Sequence, residues 1–283
     1  MKKNTAAILL LIAVLTVLAG CAGPRRPPRP DELHGSRGYR YFMDGDMPRA
    51  VEAYMRGYAA ARGIDNAAGA ARNLSNIGRA YHEMGRNDSA ALYFAKAYED
   101  FAMLGDNAGA AGAAAWLALS FAAAGEETHA RKWFNTAQAT INGSKRGDKG
   151  WDHYLALIRA TVDFRLTSKI SNESALAAAE KFYRRQPDPS SLAAIHLLIA
   201  DAALAKGDCR AAAGYLNDAL AGIDASQEIY KRSGALFKLA TISFCAGDQR
   251  AGNYYYGRAA DCAPKGTAVP PIEEVSSCGG VCR

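Results

Sequence analysis

A step of 40 residues recurs along this chain, and it constrains the fold more than any other feature. Gly85 lies 40 residues after Gly45 and 40 before Gly125, and the same step separates Gly207 from Gly247. A repeat of this length predicts a stack of helical hairpins, because one hairpin can bury its apolar face only against the next. Three further sets of positions keep the step: Tyr41, Tyr81 and Phe121; Ala50, Ala90 and Ala130; Tyr54, Phe94 and Phe134.

The hairpin of residues 72–106 shows why these positions recur. One face of its first helix carries Leu74, Ile77 and Tyr81 at helical spacing. Gly78 lies on that face and allows a second helix to approach closely, since it has no side chain. The apolar face of the second helix carries Ala90, Phe94 and Ala97.

In five of the six units a glycine stands where the first helix is expected to end. Gly85 suits the left-handed conformation that terminates a helix, and Asp88 is expected to cap the helix that follows. The same stop-and-start signal occurs at three other turns, as Gly45-Asp46, Gly207-Asp208 and Gly247-Asp248.

These residues together resemble the tetratricopeptide repeat (TPR). The step of 40 and the Asn76-Ile77-Gly78 sequence are similar to the longer-helix subclass of kinesin light chains and cell-polarity adaptors. The resemblance implies an all-α solenoid of about six hairpins in a right-handed superhelix, covering residues 32–262. The fourth unit, residues 151–185, is degenerate, because Leu166-Thr167-Ser168 stands where the turn glycine is expected.

The N-terminus has the pattern of an export signal. Lys2 and Lys3 precede an apolar stretch that is too short to span a bilayer, so residues 1–20 are expected to be a signal peptide. The sequence from Leu18 to Cys21 resembles the bacterial lipobox, which implies that Cys21 is lipidated with acyl chains such as palmitate. Ala22 then favours the outer membrane over the inner membrane. The alternative is a cleaved signal followed by an incidental cysteine.

Residues 21–31 are expected to form a spacer. Four prolines and three arginines between Pro24 and Pro30 favour an extended, semi-rigid segment. Its arginines either contact anionic lipid headgroups or remain solvated. Residues 263–283, which contain further prolines, are expected to form an irregular tail.

Five cysteines remain after Cys21, and an exported chain allows disulfides. Adjacent helices of a repeat array are antiparallel, so Cys209 and Cys245 are expected at the same end of the array, and we predict a bridge between them. Cys278 either pairs with Cys282, or one of the two pairs with Cys262. A metal site formed by the last three cysteines is the alternative.

No pattern for catalysis or for a cofactor is evident. His82-Glu83 lacks the second histidine of a zinc-protease helix, and no phosphate-binding loop or nucleophile elbow occurs. The formal net charge of +6 is spread along the chain and does not indicate nucleic-acid binding. We therefore predict a protein that is not an enzyme and has no cofactor or metal.

The family resemblance implies that the first helices line a concave face, and six residues are predicted to bind a partner there. Arg72, Asn76 and Arg79 share one helix face and suit an acidic or carboxylate-bearing segment, although a solvated face is the alternative. Trp116, Leu197 and Phe237 offer apolar contacts to a peptide or helix, unless a neighbouring unit or the tail covers them. The second unit also presents Ser75, His82 and Glu83 inward.

Taken together, the sequence predicts a membrane-anchored scaffold that faces the periplasm and holds another envelope protein or peptide segment. Lipidated repeat proteins of similar size suggest assembly of an envelope complex such as the type IV pilus secretin. The alternative is an accessory lipoprotein or enzyme subunit for peptidoglycan remodelling or glycan export.

Overall fold

The computed structural model describes residues 27–143, 149–186, 188–265 and 267–277. Within these ranges the chain forms thirteen α-helices and no strand, which confirms the all-α prediction. The helices are α1 (Pro30–Met43), α2 (Met47–Gly63), α3 (Ala67–Glu83), α4 (Asn87–Met103), α5 (Asn107–Ala123), α6 (Glu127–Asn142), α7 (Lys149–Thr167), α8 (Glu173–Arg185), α9 (Pro189–Ala205), α10 (Cys209–Ser226), α11 (Arg232–Cys245), α12 (Gln249–Asp261) and α13 (Ile272–Ser276). A 3-10 turn, Ile229–Lys231, precedes α11.

Helices α1 to α12 pack as six consecutive hairpins, as the repeat predicts. In the first half of the chain, α3 also packs on α2 and α5 also packs on α4, so each apolar face is buried against the next hairpin. Helix α7 contacts α5 as well as α6, which marks the beginning of a less regular second half.

The turn glycines adopt the conformation that the sequence predicts. Five of them have φ values between 72° and 79°, at which an L side chain is strained. Asp46, Asp208 and Asp248 cap the helices that follow, since each side chain accepts a backbone N–H at 3.4 Å, 2.9 Å and 2.9 Å respectively. Asp88 does not cap α4, because the helix begins at Asn87 and Asp88 already lies in its first turn.

Close helix approach at Gly78 is also confirmed. A Cβ atom added there would lie 2.9 Å from ring carbons of Phe94, which is fully buried. The same relation holds one hairpin earlier, where a Cβ on Gly38 would lie 2.6 Å from the ring of Tyr54. The missing side chain therefore makes room for the aromatic ring of the partner helix.

The degenerate fourth unit is a hairpin of α7 and α8. Ser168, with φ of 55°, takes the left-handed position that glycine holds elsewhere. Leu176, Ala179 and Tyr183 of α8 are buried against α7 and α9. The packing face of this unit is thus retained although the turn signal is lost.

The array closes on itself. The backbone N–H of Lys265 donates to the carbonyl of Gly45 at 2.8 Å, and its Nζ lies 3.0 Å from Asp46 Oδ2. Tyr230, from the 3-10 turn, packs edge-on against Phe42 of α1 with ring centroids 4.8 Å apart. The first hairpin therefore contacts the segments on both sides of the last hairpin, and the solenoid forms a ring.

Both ends of the described chain are more ordered than the sequence suggested. Helix α1 begins at Pro30, inside the predicted spacer, where Arg29 and Glu32 form a capping box. The predicted irregular tail contains α13, which packs against α11 and α12. The predicted signal peptide, Cys21 and Ala22 lie outside the described residues. No described helix is both long and apolar enough to cross a membrane.

The predicted bridge between Cys209 and Cys245 is wrong. Cys209 is disulfide-bonded, but Cys245 is not its partner. The antiparallel argument places both cysteines at one end of the array but does not fix the distance between them. Cys262 is a free thiol in the structure, and burial raises its pKa. Cys278 and Cys282 lie outside the described residues.

Candidate functional site

The inner face of the ring lines a central cavity of about 550 Å³. Its walls come from α3, α5, α7, α9 and α11, the first helices of five hairpins, together with the 3-10 turn. The concave face predicted from the repeat is therefore a pocket lined by several hairpins. Its volume is within the range of sites that hold drug-sized ligands.

Three of the six predicted partner-binding residues line this cavity, namely Arg79, Trp116 and Leu197. Arg72 and Asn76 do not line it. Arg72 precedes Arg79 by seven residues, about 10 Å along the helix axis, so only the C-terminal end of α3 reaches the cavity. Phe237 packs against Tyr256 instead, in a cluster that also contains residues of α13.

The Arg79 guanidinium lies between two aromatic rings. It is 5.0 Å from the centroid of Phe42 and 5.4 Å from that of Trp116. These cation–π contacts hold the side chain in place. Its Nε is buried without a hydrogen-bond partner, and the guanidinium makes no ion pair with the described residues. Arg79 is thus a positioned cation with unused donor capacity.

Glu83 and Arg165 face the same cavity from α3 and α7. Burial raises the pKa of Glu83, although the charges of Lys231, Arg79 and Arg165 oppose the shift. Loss of solvation lowers the pKa of Arg165, while the negative charges of Glu83 and Asp201 oppose this shift. Neither residue has an ion-pair partner within 4.0 Å among the described residues.

His82 lies beside them but carries no charge at neutral pH. Burial, and then the positive charge of Arg165, lower the pKa of His82 to about 3. Its Nδ1 lies 3.3 Å from Ser120 Oγ, and its ring meets Trp116 edge-on with centroids 5.4 Å apart. The imidazole therefore acts as a neutral hydrogen-bonding group that supports the Trp116 wall.

The other charged groups that line the cavity are paired among themselves. Glu228 accepts hydrogen bonds from Ser190 at 2.6 Å, Lys231 at 2.9 Å and Tyr230 at 3.1 Å. Burial alone would raise the pKa of Glu228, but Lys231 and these hydrogen bonds hold it below its usual value. Lys238 forms an ion pair with Asp201. These groups stabilise the wall and offer little to a ligand.

The rest of the cavity lining is mostly apolar. Burial, offset by Arg79, raises the pKa of Tyr154 to about 12, so its phenol is a neutral donor. The remaining apolar lining consists of Trp116, Leu119, Leu157, Ile158, Phe164, Ala194, Leu197 and Leu198. Apolar walls with a few positioned polar groups are typical of ligand pockets.

Sequence reasoning missed the contributions of α7 and of the 3-10 turn. Arg165 and Tyr154 lie in the unit without a turn glycine, so the repeat gave no register for them. Glu228 and Lys231 belong to a connection that is not part of any repeat. By contrast, the motif positions did place His82 and Glu83 inward, as observed. Among the described residues, no group of His, Cys, Asp or Glu is arranged to hold a metal ion.

Comparisons with known proteins add little to this description. No protein-family profile matches the sequence, and no curated protein matches it. Among solved structures, the chain is similar to a Rap protein complexed with competence and sporulation factor, at 13% identity and a TM-score of 0.42. The similarity covers 82% of this chain and 54% of the Rap chain, so the present chain spans about half the length of that protein.

Proposed function

We propose that this protein is a membrane-anchored interaction scaffold that captures a short segment of another envelope protein in its central cavity. The observation that carries this proposal is the cavity itself, which combines apolar walls with the positioned guanidinium of Arg79. A short segment fits better than a folded domain, because the cavity has the volume of a small-ligand site.

The anchor and the location rest on the sequence. A lipidated Cys21 would place the ring at the periplasmic face of the outer membrane, about ten residues from the start of α1. The finer hypothesis is assistance in the assembly of a type IV pilus secretin. The alternative is an accessory role, or an enzyme-subunit role, in peptidoglycan remodelling or glycan export.

Site-specific photo-crosslinking in cells tests the proposal. A benzophenone amino acid replaces Trp116, which lines the cavity, and in the matched control it replaces Trp133, a half-buried tryptophan of α6 that does not. We expect a discrete crosslinked partner from position 116 and none from position 133. Crosslinking from both positions alike, or only from 133, would refute capture in the cavity.

Two further assays separate the finer hypotheses. Deletion of the gene should abolish secretin multimers if the protein assists secretin assembly. Purified protein should leave peptidoglycan intact if it has no hydrolase activity of its own, whereas cleavage would favour the enzyme-subunit alternative. Labelling with an alkyne analogue of palmitate, compared between the native chain and Cys21→Ala, checks the anchor.

A further inference from the structure

The charges that face the cavity do not balance. Four cationic side chains line it, namely Arg79, Arg165, Lys231 and Lys238, against three carboxylates, Glu83, Asp201 and Glu228. Lys231 and Lys238 are already paired with Glu228 and Asp201. Only the carboxyl group of Glu83 remains to face the two guanidinium groups, so at least one positive charge has no counterpart.

The two guanidinium groups and Glu83 line the same cavity. The positive charges of Lys231, Arg79 and Arg165 all act on Glu83 and lower its pKa against the effect of burial, and of these three only Lys231 has an ion-pair partner in the described part of the chain, Glu228. Arg165 also acts on His82, the neighbour of Glu83. The uncompensated charge is therefore located where the end of α3 faces α7.

We propose that the cavity binds a ligand with one carboxylate attached to an apolar body, and that Arg79 and Arg165 hold the carboxylate. This inference rests on the proposed function, because it specifies what the captured segment presents. The apolar body then lies against Trp116, Leu157 and Leu197, which line the same cavity. The carboxylate is either the chain end of a peptide or the head of a free organic acid.

Other classes of ligand fit these charges less well. A neutral apolar ligand would leave Arg79 Nε buried without a partner, which is costly. A cation would be repelled by both arginines. A monocarboxylate offsets positive charge and accepts hydrogen bonds from the unused N–H groups of the guanidinium, a geometry that arginine favours.

Binding of matched probes tests the inference. Octanoate and octanamide share a chain and differ in charge, and acetyl-Gly-Leu-Leu can be compared as the free acid and as the amide. We expect each acid to bind at least about tenfold more tightly than its amide by isothermal titration calorimetry, since hydrogen bonds to charged groups are the strong ones. A change in tryptophan fluorescence should accompany binding, because Trp116 lines the cavity.

Two substitutions on α7 show whether the preference arises at Arg165. Arg165→Met should reduce the preference for the acid to less than about threefold, because it removes one of the two guanidinium groups. Arg159→Met is the matched control, since Arg159 is exposed on the same helix, pairs with Asp163 and does not line the cavity. Circular dichroism should show unchanged helicity in both variants.

Equal binding of acid and amide, binding of neither acid, or a preference that survives Arg165→Met would overturn the inference. A tighter peptide acid would assign the carboxylate to a chain end, and tighter octanoate would assign it to a free acid. Either result supports the shared chemistry. If acid and amide bind equally while crosslinking from position 116 persists, partner capture stands and only the carboxylate is excluded. If position 116 gives no crosslinked partner, the proposed function itself is refuted.

Discussion

Lowering the pH should destabilise this protein through His82. The pKa of this histidine is about 3 in the folded protein against 6.5 for an unperturbed imidazole, because burial and Arg165 disfavour its charge. The unfolded chain therefore binds a proton at a pH where the folded protein does not. The stability that the neutral imidazole confers is complete above pH 6.5 and is lost as the pH falls from 6.5 toward 3.

The size of this effect follows from the shift in pKa. A pH of 5 lies about 1.5 units below the pKa of the imidazole in the unfolded chain. Proton binding at this pH therefore lowers the free energy of unfolding by about 2 kcal/mol relative to pH 7. With a urea dependence of about 1–3 kcal/mol per molar, the midpoint of unfolding should fall by roughly 1 M. Glu83 shifts stability in the opposite direction over this range, so the contribution of His82 must be isolated.

Comparison with the variant His82→Gln isolates the contribution of His82 to the pH dependence of stability. Glutamine can keep a hydrogen bond to Ser120 but does not titrate, and Glu83 is common to both proteins. Urea unfolding followed by circular dichroism at pH 7 and pH 5 should show about 2 kcal/mol more loss in the native protein than in the variant. The same pH dependence in both proteins would refute the assignment of a suppressed pKa to this residue.

Three further perturbations test other parts of the structure. Gly78→Ala should cost about 1–3 kcal/mol of unfolding free energy, since the added methyl meets Phe94, whereas Gly214→Ala, which meets nothing, should be neutral or stabilising. Lys265→Pro removes the N–H that binds the carbonyl of Gly45 and should increase hydrogen exchange in α1 more than Lys265→Ala does. Glu83→Gln should raise the melting temperature more at pH 8 than at pH 5, because burial raises the pKa of Glu83 and its ionised form destabilises the fold. Equal shifts at the two pH values would contradict this last expectation.

The repeated positions made the hairpins predictable because their causes are local. A glycine with positive φ at residue 85 and a glycine facing an aromatic ring at residue 78 act within one hairpin, so the sequence reveals them. The turn of the fourth unit was harder to predict, because Ser168 adopts the left-handed conformation that glycine adopts in the other units. The Cys209–Cys245 bridge failed because it required a distance between two helices, which no local pattern specifies.

Ring closure could not be predicted, because it depends on small angles summed over many hairpins. The contact between Asp46 and Lys265 joins residues 219 positions apart. The lining of the cavity is hard to predict for the same reason. Arg79, Trp116 and Leu197 were found from their motif positions, whereas Arg165 and Lys231 reach the cavity only because the second half of the array bends toward the first.

The meeting of Gly45 with Lys265 has a consequence for how the protein unfolds. An open array of repeats frays from its ends, and its stability is a sum of units and nearest-neighbour interfaces. Here the segments that flank the last hairpin cover the first, so the first hairpin does not serve as a separate cap. Removal of residues 264–277 should loosen α1 and α2, at the far end of the chain, and the intact protein should unfold as one cooperative unit.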